Sequence, residues 1–189
     1  MTYGEDIKES LKTLRHGGII LYPTDTIWGL GCDPTNEAAV DKIFRIKSRD
    51  EGKSLIILVN GLPMIERYVE DCPEIVFELA EVSDSPLTII YPRGKHLAEG
   101  VCSKDNSIAI RICHDEFCSE LISRFRKPIV STSANFSGKP SPGNFSEIEK
   151  TLLDKIDYVV KWRHEDQSRS VSSPVIKINH DGTIQIIRK

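Results

Sequence analysis

Three polar clusters hold the side chains able to do chemistry. In "YPTDTIWGLGCDP" (22–34), Thr24, Asp25 and Thr26 precede Gly29 and Gly31, whose missing Cβ atoms allow close backbone approach and unusual φ values. In "KSRDEGKS" (47–54), Lys47, Arg49 and Lys53 gather around a glycine. Three cations near one point suit phosphate or carboxylate, arginine as a bidentate fork and lysine as a point charge. In "PIVSTSANFSGKPSPG" (128–143), Ile129 and Val130 open into Ser131, Ser133, Asn135, Ser137 and Ser141. That stretch buries little apolar area, but it presents hydroxyls, an amide and backbone N–H groups to a polar ligand.

Each cluster also has a plain structural reading. The first reads equally as a tight turn with Trp28 plugging the core. The second reads as a solvated charge run offset by Asp50 and Glu51, and the third as a Ser/Pro-rich surface loop. Lys47 and Arg49, two apart, do not share a helix face, so they converge only if the helix before them has ended. Several chemistries fit poorly. The Gly-x4-Gly-Lys-Ser/Thr phosphate loop is missing, as is the Gly-x-Ser-x-Gly nucleophile elbow. Cys113, His114 and Cys118 have the wrong spacing for a zinc knuckle, and five cysteines without dense spacing give no disulfide framework. Structural cysteines are the better reading.

The elements that must position these clusters alternate. Ile7, Leu11 and Leu14 mark a helix stopped at Gly17-Gly18, and "IILYP" reads as a buried strand. The turn at Asp33–Asn36 opens a helix through Val40, Ile43 and Lys47, and strand "SLIILV" follows. "CPEIVFELAEV" reads as helix, "PLTIIYP" as strand, and "SIAIRI" as a half-buried strand of period two. The amphipathic "DEFCSELISRFRK" leads into strand "PIVS", helix "FSEIEKTLLDKI" and strand "DYVVKW". "RHEDQSRSVSS" (163–173) reads as a charged loop, and "PVIKINHDGTIQIIRK" as a hairpin turning at Asp-Gly. The alternation predicts an α/β fold, a twisted mixed sheet with helices packed on it, and a single domain over 1–189. Ligands of such sheets collect at strand ends, where the three clusters fall.

The totals narrow the class. The net charge of −3 argues mildly against a double-stranded RNA surface. The longest apolar runs are strand-length, so no membrane span is expected. The polar, acidic start (Glu5, Asp6, Glu9) is unlike a secretory signal, and a cytoplasmic protein is expected.

Taken in order, the clusters resemble the YrdC family of L-threonylcarbamoyladenylate synthases over almost the whole chain. "GGIILYPTDTIWGLGCDP" is similar to the family's Tyr-Pro-Thr-x-Thr-x-x-Gly-Leu-Gly opening, and "KSRDEGKSL" to its Lys-x-Arg motif with a downstream lysine. "SPLTII" and "SIAIRI" are similar to its Pro-Leu-Thr strand and its arginine-ended strand, and "STSANFSGKPSP" to its Ser-Ala-Asn-x-Ser-Gly…Ser-Pro motif. The resemblance implies a YrdC-like fold in a short, single-domain form. It implies formation of threonylcarbamoyl-AMP and pyrophosphate from L-threonine, bicarbonate and ATP, for threonylcarbamoyladenosine in tRNA. Magnesium would arrive with ATP through its phosphates and not on protein side chains, and a tRNA-modifying transferase would use the product. Direct contact with tRNA or double-stranded RNA stays open.

Carried over by resemblance, Lys47, Arg49, Ser133 and Asn135 form the catalytic polar core. Thr26, Arg111, Ser131 and Ser173 hold L-threonine. Arg49, Lys53, Ser107, Ser133, Ser141 and Arg188 lie near ATP. The chain departs from the pattern at Asp50 and Ser54 (usually proline), Ser85 (usually glycine), and Gly143 and Pro174 (commonly threonine). Two alternatives remain at this point. One is a nucleotide- or double-stranded-RNA-binding module on the same fold without synthase activity. The other is an ATP-dependent ligase with a different amine substrate.

Overall fold

The computed structural model describes residues 2–48, 54–70, 79, 85–179 and 181–189. Helix α1 (Tyr3–Arg15) starts at a capping box. There the Thr2 hydroxyl accepts from the Glu5 amide and the Glu5 carboxylate accepts from the Thr2 amide. Its buried face carries Ile7, Leu11 and Leu14, and Gly17 turns the chain away at φ 73°. Strands β1 (Ile20–Tyr22) and β2 (Gly29–Gly31) pair antiparallel. Helix α2 (Glu37–Lys47), whose Ala39 amide is capped by the Asn36 side chain, leads towards β3 (Ile56–Val59). Then come α3 (Leu62–Tyr68), β4 (Thr88–Tyr91), β5 (Ile108–Ile112), α4 (Glu116–Phe125) and β6 (Ile129–Ser133). A 3-10 turn (Phe145–Glu147), α5 (Lys150–Leu153) and β7 (Tyr158–Val159) precede the hairpin of β8 (Val175–Ile178) and β9 (Ile184–Arg188).

The strands form one mixed sheet in the order β7-β1-β2-β6-β3-β5-β4-β8-β9. Parallel pairs β1–β7, β3–β5 and β4–β8 are interleaved with antiparallel ones, as the α/β reading with a mixed sheet expects. Ile57, Leu58, Ile110, Ile129 and Val130 at its centre are buried, which explains the unbroken apolar runs there. Sheet order matters for the site. It brings β2, β6, β3 and β5 side by side, and with them all three polar clusters' strands.

Three expectations are corrected. The run 145–156 is not one helix, because buried Ile148 is extended (φ −73°, ψ 129°) between the 3-10 turn and α5. Ser133 is a ladder residue of β6, which runs two residues past the expected strand "PIVS", while Ser131 pairs with Ile56 inside that strand as expected. Strand β5 is buried along almost its whole length, Arg111 included, so its polar face looks into the protein and not to solvent. The helix expected at 72–82 lies, Leu79 apart, outside the described residues.

Candidate active site

The glycines of the first cluster are strand residues. A Cβ on Gly31 would lie 2.6 Å from Tyr22 Cε1 and 2.8 Å from the Val130 carbonyl oxygen, and one on Gly29 would lie 2.9 Å from Ser131 Oγ. Neither has a positive φ, so close packing of β2 against its neighbours is what excludes a side chain. On the residues between the strands, the Thr24 hydroxyl donates to the Ile27 carbonyl (2.9 Å) and accepts from the Thr26 amide (3.0 Å). This local turn sets Thr26 at the mouth of β2.

A cavity of about 170 Å³ opens here, lined by Thr26, Arg111, Ser131, Ser133, Ser141, Ser173 and Arg188, with Ser54 and Ser172 among its other walls. Seven of the residues singled out in the sequence therefore meet at one place. A larger groove of about 940 Å³ lies between α2 and residues 94–106. It mixes Glu37, Asp41 and Glu99 with Lys95, His96 and Lys104 and holds none of the candidate side chains. The smaller cavity is the better candidate because its charged lining is cationic.

Two guanidinium groups give that lining its sign. Arg111 is 4% exposed, and its Nη1 donates to the Asp25 carboxylate, whose other oxygen accepts from the His114 amide at 3.3 Å. Arg188 donates through Nε and Nη2 to the Ser173 carbonyl (3.0 and 2.7 Å), and Ser173 Oγ lies 2.8 Å from Thr88 Oγ1. Burial, and then the charge of Arg111, lower the pKa of Arg188 below the ordinary arginine value. An anion entering this cavity relieves that repulsion.

Lys47 departs from its expected setting. The sequence ended the second helix at Lys47 and read it as an exposed cation; it is the last residue of α2 but only 1% exposed. The helix does end there, since Ser48 is left-handed at φ 49°. The Lys47 ammonium donates to the Ser133 carbonyl, the Asn135 carbonyl (2.7 Å) and Asn135 Oδ1 (3.3 Å). In turn the Lys47 carbonyl accepts from the Ser137 amide (2.9 Å). Lys47 thus staples α2 to the turn after β6, and Asn135 faces that staple.

Ser107 is not in the cavity lining. It caps the turn before β5, where its hydroxyl and amide donate to the Asp105 carboxylate (2.7 and 3.1 Å). Hydrogen bonds from Ser103, Ser107 and Lys177 hold that carboxyl well below the usual range. Arg49, Lys53 and Asp50 lie outside the described residues. Of the remaining departures, Ser54 lines the cavity, Gly143 bonds Glu147 and Ser170 through its backbone, and the Pro174 carbonyl accepts from the Thr88 amide. Cys113 and Cys118 are buried, and the Cys118 thiol donates to the Pro23 carbonyl (3.2 Å). Among the described residues no group of three or more His, Cys, Asp or Glu comes together to hold a metal ion.

Two features escaped the sequence reading. Segment 163–173 runs from β7 at one edge of the sheet to β8 near the other, and its Arg163, Asp166, Ser168 and Ser170 line one small pocket with Thr24 and Thr26. Arg163 pins it, reaching the Asp115 carboxylate (2.7 Å) and the Thr24 carbonyl (3.4 Å), while His164 stacks on Phe145 with ring centroids 3.6 Å apart. The other feature is the Asp25–Arg111 pair. Its partners are 86 positions apart, a separation no local pattern reports.

The family model of the Sua5, YciO and YrdC proteins, described as "Telomere recombination", matches residues 12–189. The chain belongs to this family. A threonylcarbamoyl-AMP synthase of Pseudomonas aeruginosa is 33% identical over 150 residues, which is 79% of this chain and 80% of that protein. The structure of H234A/Y235A P. abyssi Sua5 matches with a TM-score of 0.88 at 27% identity, over 100% of this chain and 57% of that one. P. abyssi Sua5 complexed with L-threonine matches with a TM-score of 0.82 at 27% identity, over 94% of this chain and 52% of that one. This Sua5/YciO/YrdC chain therefore has the expected YrdC-like fold. No helix among its described residues is long and apolar enough to cross a membrane.

Proposed function

We propose that this chain is an L-threonylcarbamoyladenylate synthase. It would form threonylcarbamoyl-AMP and pyrophosphate from L-threonine, bicarbonate and ATP for threonylcarbamoyladenosine in tRNA. The observation that carries the reading is one cationic, hydroxyl-lined cavity holding Thr26, Arg111, Ser131, Ser133, Ser141, Ser173 and Arg188 together. The name of the P. aeruginosa relative and the threonine complex of P. abyssi Sua5 support it.

The chemistry matches the lining. Three anionic reactants must share one site, and carboxylates in contact with them would repel them. The threonine amine attacks the bicarbonate carbon, and water leaves to give the carbamate. A carbamate oxygen then attacks the α-phosphorus, and pyrophosphate departs. No protein nucleophile is needed. Arg111 would hold the threonine carboxylate, with Thr26, Ser131 and Ser173 around the amino acid. Ser133, Ser141 and Arg188 would face the nucleotide, with Arg49, Lys53 and Ser107 assigned to it by family resemblance. Lys47 and Asn135 would shape the turn that presents Ser133. Magnesium would be carried by the triphosphate oxygens, because guanidinium and hydroxyl groups line the cavity. Holding the reactants in line can supply about 7–11 kcal/mol, and preorganised donors add to that. A tRNA-modifying transferase would consume the product.

The test is pyrophosphate release by the purified chain, with threonine, bicarbonate and ATP left out in turn. Dependence on all three is expected. Release that ignores threonine or bicarbonate refutes the proposal.

A further inference from the structure

We infer that Asp25 is the positioning residue of the amino-acid end of this cavity, aiming the Arg111 guanidinium at the substrate carboxylate. The inference rests on the proposed synthase reading and adds a residue to it. Asp25 does not line the cavity, whereas Arg111 does. The carboxylate holds the guanidinium from outside the cavity lining. One oxygen takes Arg111 Nη1, and the other takes the His114 amide at 3.3 Å. Asp25 is thereby tied to the residues after β5 while it grips a side chain of β5 itself. The side chains of Asp25 and Arg111 are 13% and 4% exposed, so little water competes for the pair.

A guanidinium carries five N–H donors in a rigid plane. Fixing one edge on Asp25 fixes where the other edge points, so rotamer freedom is removed before the ligand arrives. The neighbouring cation, Arg188, is anchored differently, through two hydrogen bonds to the Ser173 carbonyl, a neutral acceptor. The two arginines are thus unequal. Arg111 has its charge partly balanced and its direction set, while Arg188 keeps its full charge for an anion. This asymmetry suits a zwitterionic amino acid at Arg111 and a polyanion at Arg188.

Two effects of Asp25 oppose each other. Its negative charge, outside the cavity lining, repels a substrate carboxylate, and its grip holds the arginine in place. The inference is that position outweighs repulsion, and two substitutions separate them. Asp25→Ala removes both grip and charge. Asp25→Asn removes the charge but keeps an oxygen for Arg111, giving up the longer bond from His114. The ligands are L-threonine and L-threoninol, in which the carboxylate is replaced by a hydroxymethyl group.

Binding is measured by calorimetry on the full chain, with circular dichroism to confirm folding. Asp25→Ala is expected to weaken threonine by roughly 10- to 100-fold, the range for losing an aligned charge-assisted contact. Threoninol should change by less than about threefold, and Asp25→Asn should recover most of the threonine affinity. Unchanged threonine binding in Asp25→Ala overturns the inference. So do equal losses for the two ligands, or an Asp25→Asn variant no better than Asp25→Ala. Wild type that binds no threonine instead refutes the proposed function, and this inference with it.

Discussion

Replacing Lys47 by methionine would remove the ammonium that holds α2 to the turn after β6 while nearly preserving the side chain's volume. The Asn135 carbonyl and Asn135 Oδ1 would lose this donor, and the Ser133 carbonyl would keep only the Asn135 amide (2.9 Å), in a place only 1% exposed at Lys47. Leaving each of these two acceptors unsatisfied costs about 1–3 kcal/mol, about 2–6 kcal/mol together, and part of that is returned because no ammonium need be desolvated. A net loss of about 2–4 kcal/mol follows. For a chain of this size each kcal/mol moves the melting temperature by roughly 2–4 °C, so the expected fall is roughly 4–16 °C. Thermal unfolding followed by circular dichroism reads this directly. The exposed Lys139, paired with Glu149 at the surface, is the control, and Lys139→Met should shift melting by no more than about 2 °C. Pyrophosphate release should also fall sharply in Lys47→Met, because Ser133 loses its support. A Lys47→Met protein that melts within about 2 °C of wild type refutes the staple.

The other predictions concern the cavity and the segment that ends beside it. If Thr26 recognises the substrate hydroxyl, valine should be disfavoured against threonine by up to roughly 10⁴-fold, and calorimetry showing equal affinity would refute that role. Ser133→Ala should slow turnover by roughly 10²–10³ without abolishing it, the usual cost of one preorganised donor. Mass spectrometry during turnover should find no adduct on Ser131, Ser133 or Ser137, and a kinetically competent adduct would overturn the charge-holding reading. Burial of His164 against Phe145 lowers the pKa of its imidazole below the ordinary value. Its contribution is therefore full above about pH 6.5, where the unfolded histidine titrates, and is lost as the pH falls towards the folded value. Melting curves at pH 7.5 and pH 5 should show a smaller loss for His164→Phe than for wild type; equal losses would exclude His164 as the source.

The sequence by itself determined the elements whose cause is local. The period of Ile7, Leu11 and Leu14 is α1, the Asn36 cap opens α2, and the Asp-Gly turn of the last hairpin has Gly182 at φ 80°. The residue types of the site were legible too, because cations and hydroxyls at strand ends announce an anion whatever the topology. Tertiary structure alone decided how those residues were used. Nothing in "SIAIRI" says whether its polar face meets water or a cavity, since alternation is the same in both cases. Arg111 is buried only because β5 lies between β3 and β4. Lys47 reads as an exposed cation until the turn after β6 brings three carbonyl-type oxygens to it from 86 and 88 positions away. Asp25 looks like one more polar residue of a turn until the sheet sets Arg111 beside it. Hydrogen bonds between strands are made by backbone groups common to every residue, so strand partners leave little trace in composition. The long-range pairs that give this cavity its charge and direction therefore appear only once the sheet is assembled.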